Sequence, residues 1–153
     1  MCIRDRYYLT EYSRDVVGVE VCSAIKNIYS MIIGAGQSLN SSSNLFQKAV
    51  FEMRYLNRYF KGKDETILGL AGVGDLYVSA AGGRNSKMGS FLGKGLTFKT
   101  AKKRFMSRET VEGEELAREI TPFILKKIDK KKIPLMINLL KTIKENKKLK
   151  IKV

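Results

Sequence analysis

Wherever apolar residues form a pattern in this chain, they recur at steps of three and four, the period of a helix with one face in a core. Val17, Val21, Ala24, Ile28 and the pair Met31/Ile32 make one such stripe. Asp15 stands before it as an N-cap, which predicts a helix running to about Ile33. Phe46, Ala49, Val50, Met53, Leu56 and Phe60 make a second stripe, over about Leu45 to Phe60. Asn44 and Gln47 are spaced as a capping box in front of it, and Lys61-Gly62 supplies a stop. The strict alternation of a half-buried strand is absent, apart from a scrap at Tyr7 to Thr10. The pattern predicts an all-α fold, one compact helical domain.

The remaining elements follow from caps and breakers. Gly34 to Asn44 is rich in Gly, Ser and Asn and reads as a loop. Leu76 to Ala81 reads as a helix between two glycine groups, Gly69, Gly72 and Gly74 before it and Gly82 and Gly83 after it. Thr97 caps a short basic helix ending near Phe105. Another helix starts around Gly113 and carries Leu116, Ile120, Phe123, Ile124 and Ile128, with a bend at Pro122. Pro134 suits the first turn of a last helix over Leu135 to Ile143, and the final ENKKLKIKV is expected to fray.

Composition narrows the chemistry. There is no histidine, and the only cysteines are Cys2 and Cys22, so neither a Ser-His-Asp triad nor a Cys/His zinc site can be built. Chemistry must rest on Lys, Arg, Asp, Asn and backbone groups, and no metal is expected. At 153 residues the length suits one domain. No run of about 18 apolar residues is seen, which argues against a membrane span, and no signal-peptide stretch opens the chain. Two cysteines fit a reducing, cytoplasmic setting.

The net charge is +14. Residues 101–153 hold 16 Lys/Arg against 7 Asp/Glu, and residues 1–100 hold 13 against 8. Such a surface attracts phosphate in any form, whether nucleic acid, anionic membrane or a phosphorylated metabolite, but lysine-rich solvated helix faces give the same number. The first six residues, MCIRDR, have no structural logic of their own and read as an artefactual leader, leaving 7–153 as the domain.

Three groups of residues carry chemistry. GLAGVGD, Gly69 to Asp75, has the order G-x-x-G-x-G, the reverse of the dinucleotide fingerprint, with no strand before it. Its glycines serve either tight packing or a phosphate cradle. Lys26 lies mid-helix beside a small polar face of Glu20, Ser23, Asn27 and Ser30. Either its stem snorkels to solvent or the amine is desolvated and fit to accept a proton, with Asp75 the carboxylate that orients it. Arg84-Asn85 follows two glycines and offers a planar guanidinium fork with a neutral amide, a match for phosphate oxygens.

Taken together these pieces resemble the C-terminal domain of NAD-dependent glycerol-3-phosphate dehydrogenase. The carrying segments are DVVGVEVCSAIKN (Asp15 to Asn27), GLAGVGDL (Gly69 to Leu76), GGRN (Gly82 to Asn85), FLGKG (Phe91 to Gly95) and TVEG (Thr110 to Gly113), in the family's order over roughly Tyr7 to Pro134. The resemblance implies a helical domain like the C-terminal domain of 6-phosphogluconate dehydrogenase. It implies reversible hydride transfer between carbon 2 of sn-glycerol 3-phosphate and NAD or NADP, giving dihydroxyacetone phosphate. It makes Lys26 the proton acceptor, with Asn27 beside it and Asp75 contacting substrate and orienting the lysine. Arg84 and Asn85 hold the substrate phosphate, the arginine also reaching the cofactor, and Glu112 lines the cofactor side. Gly83 stands where many bacterial members have a serine, so that contact to the phosphate is lost. Family members commonly dimerise, which extends the expectation to a homodimer.

The family binds its dinucleotide on an N-terminal domain carrying G-x-G-x-x-G, and this sequence has no such motif. The expectation is an enzyme fragment, holding the substrate and base half of a site and showing no dehydrogenase activity alone. The alternatives are a stand-alone phosphometabolite-binding module, a basic nucleic-acid-binding module and a dehydrogenase of the same superfamily acting on another hydroxy acid. Five ordered motifs weigh against nucleic acid, and the Arg-Asn fork suits phosphate better than a bare carboxylate.

Overall fold

The computed structural model describes residues 10–36 and 38–151. The MCIRDR leader and most of the strand scrap at Tyr7 to Thr10 lie outside them. Among the described residues the chain forms eight α-helices and no strand: α1 (Val16–Gly34), α2 (Leu39–Tyr59), α3 (Asp64–Leu68), α4 (Asp75–Gly82), α5 (Arg84–Gly93), α6 (Phe98–Phe105), α7 (Glu112–Lys127) and α8 (Pro134–Glu145). A π-helical turn, Leu70–Gly74, joins α3 to α4.

Helix α1 is the hub, packing against α2, α4, α5, α7 and α8. Asp15 caps it as expected, accepting from the Gly18 amide at 3.0 Å. Its second oxygen accepts from the Lys63 amide and the Thr66 hydroxyl, each at 2.7 Å, so one side chain ties the start of α1 to the start of α3. Neighbours on several sides bury more of α1 than one stripe. Cys22, Ile28, Tyr29 and Met31 are fully buried, Ser30 is buried from the face expected to be polar, and Val17 from the expected stripe is half exposed. Contrary to the sequence expectation, α1 is long and apolar enough by length and composition to cross a membrane. Half of it is buried, and its apolarity is that of a core helix surrounded by others.

The loop expected over Gly34 to Asn44 is shorter than predicted, because α2 begins at Leu39, six residues early. Ser38 is the cap, its hydroxyl accepting from the Ser41 amide at 3.2 Å. Serine and asparagine disfavour helix interiors by bonding to nearby backbone. Here Ser42 directs its hydroxyl to the Ile33 carbonyl at the end of α1 instead, so the polar run joins the helix. At the other end Lys61, not Gly62, takes the left-handed conformation, with φ of 68°. The Gly62 amide reaches back to the Asn57 carbonyl at 2.8 Å and the Lys61 amide to Arg58, the two bonds of a Schellman cap.

The sequence pattern marks neither α3, α5 nor the π turn. Helix α5 crosses α1 almost backbone to backbone: a Cβ on Gly89 would lie 1.9 Å from the Met31 carbonyl oxygen, and one on Gly34 would lie 2.2 Å from that of Ser86. Helix α7 continues through Pro122, with the Thr121 hydroxyl bonded to the Ala117 carbonyl. Phe60 and Phe123, expected in the core, are 37% and 40% exposed and stack on each other at 5.8 Å.

Helix α8 has no cap from its own flank. Buried Glu52 of α2 accepts from the Leu135 amide at 2.7 Å, the Met136 amide at 3.1 Å and the Tyr29 hydroxyl at 3.0 Å. The C-terminal segment is not frayed through residue 151. Leu149 and Ile151 pack on the core, and Asn138 donates to the Lys150 carbonyl at 2.7 Å.

Candidate functional site

Four elements bring the site residues together. Lys26 and Asn27 sit at mid-α1, on a helix held by its surroundings. Asp75 is the first residue of α4, and the π turn before it sets its place. In that turn the Gly72 and Gly74 amides both donate to the Gly69 carbonyl, at 3.3 and 3.2 Å. A Cβ on Gly72 would lie 2.0 Å from the Ile67 carbonyl oxygen. These glycines pack a wide turn against α3, and two of their amides are already bonded within it. Of the two roles open to GLAGVGD, the geometry favours packing. Single π turns inside helical segments recur at functional sites.

Lys26 Nζ pairs with Asp75 Oδ2; the side chains are 20% and 36% exposed. The amine is neither snorkelling freely nor sealed away. It is held at the surface of the core by one carboxylate.

Arg84 and Asn85 open α5, directly after Gly83. Asn85 is 5% exposed and fully engaged. Its amide nitrogen donates to Asn27 Oδ1 and to Glu112 Oε2, both at 3.2 Å, and its carbonyl oxygen accepts from the Gly113 amide at 2.9 Å. Gly113 admits this closeness because a Cβ there would lie 2.8 Å from both Asn85 Oδ1 and the Asn27 carbonyl oxygen. In the sequence Gly113 marks only a helix start and the end of the TVEG segment; in the structure its amide holds Asn85 in place. Glu112, at the N-terminal turn of α7 where a negative charge is favoured, accepts from the Arg84 guanidinium through Oε1. Arg84 is 54% exposed.

All six predicted residues, Lys26, Asn27, Asp75, Arg84, Asn85 and Glu112, thus meet in one region. The helices that carry the two ion pairs, Lys26–Asp75 and Arg84–Glu112, are joined by the hydrogen bond from Asn85, next to Arg84, to Asn27, next to Lys26. Asp75 also lines a cleft of about 700 Å³ bounded by Tyr12, Arg14, Lys63 and Thr66. Lys26, Arg84 and Glu112 do not line that cleft, so the cluster forms an open face beside it. No group of metal-ligating side chains occurs among the described residues. The arrangement sets an amine held by a carboxylate beside a half-exposed guanidinium held by another.

Residues 15–153 match the family model described as the NAD-dependent glycerol-3-phosphate dehydrogenase C-terminus. An NADP(+)-dependent glycerol-3-phosphate dehydrogenase from Archaeoglobus fulgidus is 35% identical over 124 residues, covering 74% of this chain and 37% of that protein. A glycerol-3-phosphate dehydrogenase [NAD(P)+] from Phytoplasma australiense is 41% identical over 98 residues, 60% of this chain and 30% of its own length. The crystal structure of a glycerol-3-phosphate dehydrogenase from Coxiella burnetii superposes with a TM-score of 0.79 at 28% identity, over 89% of this chain and 42% of that one. The chain spans about a third of the length of the curated relatives it matches.

Proposed function

Because this chain belongs to the family of NAD-dependent glycerol-3-phosphate dehydrogenase C-terminal domains, we propose that its six-residue cluster is the substrate side of the reversible oxidation of sn-glycerol 3-phosphate to dihydroxyacetone phosphate. The observation that carries this reading is the linkage of a Lys–Asp pair and an Arg–Asn anion fork on one face, joined by the 3.2 Å bond between Asn27 and Asn85.

Lys26 takes the proton of the carbon-2 hydroxyl during oxidation and returns it during reduction, the role of a positioned general base. Asp75 aims the amine and faces the substrate hydroxyls. Arg84 and Asn85 receive the phosphate, whose planar recognition by a guanidinium is stronger than that by a point charge. Asn27 holds Asn85 against the helix turn that carries Lys26, so the groups for the phosphate and for the reacting carbon are set side by side.

A nicotinamide dinucleotide, NAD or NADP, supplies the hydride acceptor when bound. The half-exposed guanidinium of Arg84 and the carboxylate of Glu112 fit one edge of such a molecule, and these are the residues that would hold it. A glycine turn following a strand, the usual pyrophosphate cradle, is not formed by the described residues. The same reading includes a cytoplasmic protein that pairs with a second copy. The exposed Tyr77 and Val78 on α4 support the pairing, and sedimentation of the chain measures it.

Calorimetric titration tests the substrate assignment. The chain is expected to bind sn-glycerol 3-phosphate, to ignore glycerol, and to resist competition by a hydroxy acid that carries only a carboxylate. Arg84→Ala is expected to weaken binding by about tenfold or more, as loss of a charge-assisted contact does. Equal binding of glycerol, or binding untouched by Arg84→Ala, would sink the reading.

A further inference from the structure

The two donors that define the anion fork already share a partner within the chain. Glu112 presents one carboxylate oxygen to the Arg84 guanidinium and the other to the Asn85 amide at 3.2 Å. One side chain therefore bridges the same two groups that two oxygens of a phosphate would bridge. We propose that Glu112 is a resident anion of this site, and that a phosphate-bearing ligand binds by exchanging places with it. The inference rests on the reading of Arg84 and Asn85 as the anion fork.

The geometry makes the exchange easy in one part and rigid in the other. Arg84 and Glu112 are 54% and 37% exposed, and pairs this open to water are weak. A phosphate offers more charge and better-matched oxygens to the guanidinium, so it wins the contact. Glu112 is not stranded when released, because it sits on the N-terminal turn of α7 and close to solvent. Asn85 does not follow it. The Gly113 amide holds its carbonyl at 2.9 Å, and its nitrogen also binds Asn27 Oδ1, so the amide stays aimed at the position Glu112 leaves.

Glu112 thus sets the affinity and selectivity of the fork. A ligand must outcompete a carboxylate already in place, so weak monoanions are turned away and phosphates admitted. A released Glu112 carries its charge to the surface beside Arg84, where it becomes free for other contacts.

Titration of the chain with inorganic phosphate, with sn-glycerol 3-phosphate run alongside, tests the exchange. Glu112→Gln removes the charge while keeping an oxygen for Asn85. It is expected to tighten inorganic phosphate binding about threefold to tenfold. Glu115→Gln removes the same charge from the same helix at an exposed position with no ion-pair partner among the described residues, and is expected to change it by less than about twofold. In the double variant Arg84→Gln/Glu112→Gln the gain should vanish, a coupling that a general change of net charge cannot produce. Unchanged or weaker phosphate binding by Glu112→Gln overturns the proposal, as does an equal gain in Glu115→Gln or a gain that survives Arg84→Gln. If Glu112→Gln shows the gain with inorganic phosphate while glycerol 3-phosphate binds no better than phosphate itself, the exchange stands and the substrate assignment fails.

Discussion

At the scale of single residues, buried Glu52 and N-capping Asp15 are carboxylates with opposite electrostatic histories. Burial raises the Glu52 carboxyl above its usual range, against the pull of the Leu135 and Met136 amides and the Tyr29 hydroxyl. The Lys63 amide and the Thr66 hydroxyl hold Asp15 below its usual range. A raised acid binds its proton more readily when folded. Glu52 therefore contributes most below about pH 4.3, the ordinary glutamate value, and its contribution falls as pH rises through its folded value. Asp15 behaves in reverse, stabilising above about pH 3.9 and losing that contribution as pH falls. The stability difference between the native chain and Glu52→Gln should accordingly shrink as pH rises from about 4 to 8, and urea midpoints across that range measure it. A flat difference would show that Glu52 does not titrate there. Glu52→Ala should cost about 2–4 kcal/mol, because two amides and a hydroxyl lose a buried acceptor. The sequence made Lys26, Asp75 and the Arg84-Asn85 pair legible, since each is a polar group with a local oddity around it. Glu52 carried no such mark. It lies one place off the α2 stripe, and the two amides it caps are more than 80 residues away.

Elements were legible where the cause was local. Asp15, Thr97 and Pro134 announce their helices, and α1, α6, α7 and α8 stand close to their expected bounds. Helix α5 was hidden because its buried face is short and mixed, Asn85, Met88, Gly89 and Leu92, with a glycine at its closest approach to α1. The same glycine lets the crossing close, which carries Arg84 and Asn85 to Asn27. A Gly89→Ala change puts a methyl 1.9 Å from a carbonyl oxygen, far inside any contact distance. It should force α5 off α1 at a cost of about 3 kcal/mol or more, with lower thermal stability and weaker phosphate binding together. The start of α2 was hidden for another reason. The Ser42 contact to Ile33 exists only after α1 and α2 have met, so composition alone reads the segment as loop.

At the scale of the whole molecule, a net charge of +14 draws anions of many kinds, whereas the proposed Arg84–Asn85 fork would select among them. Specific binding should therefore show in global stability while non-specific attraction should not. If the proposed site binds sn-glycerol 3-phosphate, ligand at ten times its dissociation constant should add about 1.4 kcal/mol to the folded state and raise the melting temperature by about 3–6 °C. Glycerol at the same concentration should leave it unmoved, and Arg84→Ala should remove most of the shift. A melting point raised equally by any phosphate salt, with or without Arg84, would return the weight to diffuse charge.

The reach of Glu52 also orders events in time. During synthesis the carboxylate of residue 52 leaves the ribosome long before the amides of residues 135 and 136. Until then a nascent chain can offer it only the Tyr29 hydroxyl, one donor where three are needed. The surroundings of Glu52 are therefore unfinished until α8 has emerged, and a ribosome stalled at Ile133 would hold a chain whose buried carboxylate lacks two of its three donors.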